Sequence, residues 1–105
     1  MNIHEIIGMI EKDEFILSQH AHEERQAESI CVDDIKVAIL GGEVIENYPD
    51  DKRGKSCLIL GYSNVRPIHI VCGKATIGWL KIITVYIPKP PKWLTPKQRG
   101  KSLNT

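Results

Sequence analysis

Hydrophobic positions in the first forty residues recur with a helical period. In residues 2–12 (NIHEIIGMIEK), Ile3, Ile6, Ile7 and Ile10 fall on one face and predict an amphipathic helix. The following LSQHAHEERQAES predicts a second helix, with Ser18 placed to cap its first amide groups and acids behind it that suit its positive end. A third fits VDDIKVAILGG: Asp33 and Asp34 lie in its first turn, Ile35, Ala38 and Ile39 form its stripe, and Gly41 or Gly42 stops it.

After Gly42 the period changes to two. EVIENY, SCLILGYS, RPIHIVCG and WLKIITVYIP are short, rich in β-branched and aromatic residues, and separated by turn-type segments. PDDKRGK reads as a long polar loop, Ser63-Asn64 as a tight hairpin turn and GKATIG as a looser one. Short links between consecutive strands predict an antiparallel meander. The expected fold is therefore α+β: three amino-terminal helices, then a four-stranded antiparallel sheet, in one domain over residues 1–88. KPPKWLTPKQRGKSLNT cannot continue the sheet, because its prolines remove donors and stiffen the chain. Residues 89–105 are expected to form an extended basic arm.

Alternation also separates the faces of the sheet. Ile68, Ile70 and Cys72 point one way, His69 and Val71 the other; Ile83, Val85 and Ile87 share a side opposite Ile82, Thr84 and Tyr86; Leu58, Leu60 and Tyr62 are the more apolar set of their strand. If the helices cover the aliphatic sides, His69, Thr84 and Tyr86 lie together on an uncovered face. A bulge would reverse that parity.

Composition adds limits. A chain of 105 residues supports one core, and its 42% hydrophobic and 26% charged content is that of a globular domain. Cys31, Cys57 and Cys72 are odd in number and have no C-x-x-C pairing, so reduced thiols in a cytosol, packed as small hydrophobes, are expected. An acidic amino terminus (Glu5, Glu11, Asp13, Glu14) argues against a signal peptide, and the apolar run from Ile82 to Ile87 is too short to span a bilayer. The net charge of +1 hides a division: from Lys89 onward the chain carries +5 without an acid, which leaves −4 on the body.

HAHEERQAESI, GGEVIENYPDDKRGKSCLILGY, RPIHIVCGK and GWLKIITVYIPKPPKWL closely resemble the bacterial domain-of-unknown-function family 4258, from about Ser18 to Trp93. The resemblance implies kinship with RelE-like and MqsR-like toxins, within the barnase–colicin–RelE ribonuclease fold. It also implies a neighbouring zinc-finger antitoxin protein as partner. Residue by residue, the family's His-Ala pair falls on His20 and Ala21, its helix arginine on Arg25, its strand histidine on His69 and its last-strand tyrosine on Tyr86. His22 stands where an acid is frequent. Ser29 stands where glycine is usual, which strains the turn between the second and third helices if that turn needs positive φ.

Metal-independent RNA cleavage requires a base for the 2′-hydroxyl, an acid for the leaving oxygen and donors for the phosphorane. His69 with Tyr86 form the expected acid–base pair, and Arg25 with His20 the expected phosphate holders. Each has a plainer alternative: a cross-strand pair for His69, a surface or helix–sheet hydrogen bond for His20, an ion pair with Glu28 for Arg25, and packing on Ile82 or Trp79 for Tyr86. His20 and His22 point to different sides of a helix and no third ligand follows, so neither a metal nor another cofactor is expected. Lys89, Lys92, Lys97, Arg99 and Lys101 would follow a phosphate backbone with Trp93 stacking on a base, or form a solvated tail with Trp93 anchored on the domain. The expected function is an endoribonuclease toxin acting on mRNA, free or ribosome-bound, and neutralised by its antitoxin. The rival is a non-enzymatic binding module or pseudo-enzyme on the same fold, which the acidic body favours.

Overall fold

A computed structural model describes residues 1–52 and 54–100. Lys101 of the arm lies outside the described residues, as do Arg53 of the polar loop and the last four residues. Three helices, α1 (Ile3–Glu11), α2 (Gln19–Ala27) and α3 (Val32–Leu40), and five strands, β1 (Phe15–Leu17), β2 (Glu43–Tyr48), β3 (Ser56–Ser63), β4 (Arg66–Lys74) and β5 (Leu80–Tyr86), form an α+β fold. No helix among the described residues is long and apolar enough to cross a membrane.

The helices begin and end where side-chain chemistry dictates. Ser18 accepts a hydrogen bond from the Ala21 amide as the N-cap of α2. At the other end the Ile30 amide donates to the Arg25 carbonyl and the Ser29 amide to that of Gln26, with Ser29 at φ 55°. The turn therefore needs positive φ at the position that lacks glycine. Helix α3 buries Ile35, Ala38 and Ile39 against the sheet. It lies so close to β3 that a Cβ on Gly61 would stand 1.9 Å from the Ala38 carbonyl oxygen.

The sheet corrects the sequence expectation. It has five strands in the order β1-β5-β4-β3-β2, and β1 pairs parallel with β5, so it is mixed rather than a four-stranded antiparallel meander. The additional strand, Phe15-Ile16-Leu17, is too short to show a period of its own and reads in sequence as the approach to α2. It places β5 inside the sheet over Leu80–Ile82 only. Beyond Ile82 the edge of β5 is completed by side chains: the Ser18 hydroxyl donates to the Ile83 carbonyl, the Glu24 carboxylate accepts from the Val85 amide at 3.0 Å, and Glu28 accepts from Ile87 at 3.4 Å. One stripe of α2 thus substitutes for a strand and satisfies backbone groups that would otherwise lie unpaired.

The side-chain faces also differ in part. His69 pairs with Tyr86 and Val71 with Thr84, so His69, Thr84 and Tyr86 do share a face. A bulge then opposes Cys72 with Ile82, which turns Ile82 into the helix-covered core and leaves Ile83 half-buried. On β3 it is Cys57 and Ile59 that face the helices, while Leu58 and Leu60 are buried on the His69 side.

That second face is covered, not open. The arm is bent rather than extended: Leu94 donates to the Gln98 carbonyl, Gly100 donates to that of Lys92, and Trp93 bridges Arg99. Trp93 is 1% exposed and lies edge-on to His69, with ring centroids 4.5 Å apart. Burial of the indole against His69, with its N–H bonded to Tyr86, is the physical reason the arm folds back. Cys57 and Cys72 are buried, whereas Cys31 is exposed at the start of α3, its amide bonded to Asp34.

Candidate functional site

Beneath the arm runs a chain of hydrogen bonds. His69 Nε2 lies 2.7 Å from the Pro96 carbonyl, which can only accept, so this nitrogen carries the proton. Nδ1 then accepts from the Tyr86 hydroxyl at 3.1 Å, and Tyr86 Oη accepts from Trp93 Nε1 at 3.2 Å. His69 is fully buried, and burial holds its pKa below the ordinary histidine value, against the opposing pull of the Pro96 carbonyl and Glu46. Burial likewise raises the Tyr86 phenol. Both groups are neutral in the folded protein near pH 7.

His20 and Arg25 fall elsewhere. Arg25 donates from Nε to His22 and from a terminal nitrogen to the Ile30 carbonyl, which ties it to the end of α2; it has no ion pair with Glu28 among the described residues. His20 is largely exposed, 3.4 Å from Glu24, and stands at the mouth of a cleft of about 440 Å³ between α2 and β5. Thr84, Tyr86, Lys89, Lys92 and Trp93 line the same cleft, so the structure brings His20 and Tyr86 together with part of the arm. A second cleft of about 330 Å³ adjoins it, shares His20 and Thr84, and adds Lys55, Lys74 and Lys81. The two clefts meet at His20 and Thr84.

The arm's charges are divided. Lys97 pairs with Glu43, Arg99 holds Glu46 with two nitrogens at 2.7 Å each and covers the Trp93 ring, and Lys89 reaches Glu28. Arg99 keeps the Glu46 carboxyl below the usual range. Lys92 has no ion pair among the described residues and lies over the Tyr86 ring, 5.3 Å from its centroid. Sequence reasoning missed Glu24, Glu28, Lys55, Lys74 and Lys81. His20, Glu24 and Glu28 recur every four residues, a stripe that was visible in the helix; the lysines are scattered and meet only through the register of β4 and β5. Among the described residues no group of three or more His, Cys, Asp or Glu is placed to hold a metal ion.

Fold and site together define a small α+β domain whose mixed sheet is capped by its own C-terminal arm and flanked by a basic groove. The chain belongs to the family described as Domain of unknown function (DUF4258), which matches residues 17–87. No curated protein and no solved structure matches it. Helix α1 and the arm both lie outside the matched residues.

Proposed function

We propose that this chain binds single-stranded RNA in the groove between α2 and β5 and cleaves it without a metal ion. The observation that carries this reading is that His20, Thr84, Tyr86, Lys89 and Lys92 line one cleft, beside Glu24 and Glu28, whose carboxylates are engaged by the Val85 and Ile87 amides. His20 takes the proton of the 2′-hydroxyl, a role an exposed imidazole suits because a ring nitrogen can accept a proton and later return it. Lys92 and Lys89 stabilise the charge that develops on the phosphorane, the leaving 5′-oxygen takes up the proton that His20 removed, and Tyr86, whose own proton goes to His69, forms a fixed neutral wall of the cleft. His69 acts through Tyr86 as a positioning residue, and Arg25 holds α2 in place.

The biological setting belongs to the same proposal: an mRNA-cleaving toxin held in check by a zinc-finger antitoxin. The test is incubation of purified protein with labelled single-stranded RNA in excess chelator, beside His20→Ala. Wild type should leave 2′,3′-cyclic phosphate ends, and the variant should be slower by roughly 10²–10⁴. RNA that is bound but left intact by wild type would refute cleavage. It would favour the second reading, a nucleic-acid-binding module, whose own support is that both nitrogens of His69 are engaged under the arm.

A further inference from the structure

Among the described residues, half of the lysines and arginines are matched to acids. Lys36 meets Asp13, Arg66 meets Asp34, Lys89 meets Glu28, Lys97 meets Glu43 and Arg99 meets Glu46. Lys55 and Lys81 depart from that pattern, with no ion pair among the described residues, and both line the 330 Å³ cleft. Lys74 joins them there, its ammonium 2.8 Å from Glu5. No acid lines this cleft among the described residues.

Backbone geometry builds this arrangement. Gly73 pairs with Lys81 on one side and with Ser56, next to Lys55, on the other. A Cβ on Gly73 would lie 2.8 Å from the Lys55 carbonyl oxygen, so the missing side chain is what lets Lys55 settle against β4 opposite Lys81. The bulge in β5 turns Ile83 toward the cleft, and the Thr84 hydroxyl and the His20 imidazole complete the wall shared with the neighbouring cleft. Lysine binds phosphate as a point charge without demanding a fixed angle, which suits a site assembled from a loop and two strands.

We propose that this lysine cleft binds a backbone phosphate of a single-stranded nucleic acid, as the subsite adjoining His20. The assignment rests on the RNA reading above for the identity of the strand, and its test does not depend on cleavage. A fluorescent oligodeoxynucleotide of about ten residues, which has no 2′-hydroxyl to attack, is titrated against the full chain and against Lys55→Gln/Lys81→Gln at several salt concentrations. Loss of the two charges that neutralise this one phosphate should weaken binding roughly tenfold at low salt and reduce the slope of log K against log salt by about 0.7. Lys12→Gln/Lys36→Gln, which removes the same charge away from the cleft, should leave the slope within a few tenths of wild type. Both cleft lysines are exposed, and an unchanged urea midpoint verifies that the variant folds.

Equal affinity and slope in wild type and the cleft variant would overturn the subsite. So would pyrophosphate binding at the cleft without any affinity for the oligonucleotide, which would assign it to small phosphorylated molecules instead. Binding that depends on Lys55 and Lys81 while RNA remains intact would refute cleavage and leave the phosphate subsite standing.

Discussion

Replacing Trp93 by alanine tests whether the arm holds the second face of the sheet closed. The indole is 1% exposed, packs edge-on against His69, donates to Tyr86 Oη and carries the Arg99 guanidinium 4.6 Å from its ring. Truncating a buried aromatic of this size costs about 3–5 kcal/mol in a core. The arm follows the last strand and can detach without unfolding the sheet, so its own docking free energy caps the loss, and the lower end, about 3 kcal/mol, is expected. With a urea m-value of about 1.5 kcal/mol/M, the midpoint should fall by about 2 M. Hydrogen exchange supplies the local readout. The amides of Trp93, Leu94 and Gly100, which bond within the arm, should lose protection in the variant, and Leu58 and Leu60 should become accessible. Trp93→Phe keeps one aromatic ring but loses the pyrrole part of the indole and the bond to Tyr86, so its loss should be about 1–3 kcal/mol, below that of the alanine variant. A midpoint shift below about 0.5 M for Trp93→Ala, with unchanged exchange across the arm, would refute the docked arm.

Three further outcomes follow from the same geometry. Because burial lowers the pKa of His69 in the folded chain, stability is full above about pH 6.5 and falls as pH drops toward the folded value. The slope should reach at most about 1.4 kcal/mol per pH unit; urea midpoints from pH 8 to 5 measure it, and His69→Gln should lack it. Glu46, Arg99, Lys92 and Tyr86 surround the ring, and of these only Glu46 titrates as low as pH 5 or below, from a carboxyl already lowered by Arg99. Ser29→Gly should stabilise by about 0.5–1 kcal/mol, because relief of the left-handed conformation exceeds the entropy that glycine adds to the unfolded chain. A thermal midpoint that fails to rise by about 3 °C counts against this. Glu24→Ala orphans the Val85 amide and should cost about 1–3 kcal/mol, with faster exchange at that amide, while Glu24→Gln retains an acceptor and should cost less.

The elements were legible wherever a periodic segment was long enough. Helix α3 shows its buried stripe and first-turn acids directly, and Ser18 announces α2. Strand β1 was not legible, because three residues carry no period and its partner, β5, is distant in sequence. The parity of β5 failed for a local reason: a bulge at Ile82–Ile83 leaves no mark in a run of β-branched residues. The pairing of His69 with Tyr86 was readable from alternation, whereas the closure of their face was not, since the prolines of the arm argue for extension and only Trp93 argues for return. The candidate site was legible residue by residue but not as an assembly. His20 and Tyr86 meet across a cleft, Arg25 is drawn to Ile30, and the lysines of the second cleft converge only once β4 and β5 are in register.

The charge balance bears on function differently once the partners of each acid are known. A body carrying −4 argues against a polyanion partner if those acids face solvent. Several of them do not act as free surface charge. Glu24 and Glu28 accept from β5 amides, Glu43 and Glu46 hold Lys97 and Arg99, and Asp34 receives bonds from Ser63 and Arg66 with its pKa lowered to about 2. The acids of the body thus neutralise the arm and complete the sheet. The cations left over include Lys55 and Lys81 at one end of the groove and Lys92 at the other. Surface ion pairs such as Lys97–Glu43 weaken with salt, while the buried indole of Trp93 does not, so the arm should stay docked at ionic strengths that abolish phosphate binding in the groove. Retained arm protection with lost oligonucleotide affinity at high salt would separate the two roles of the basic residues: closing the sheet, and presenting charge to a strand beside it.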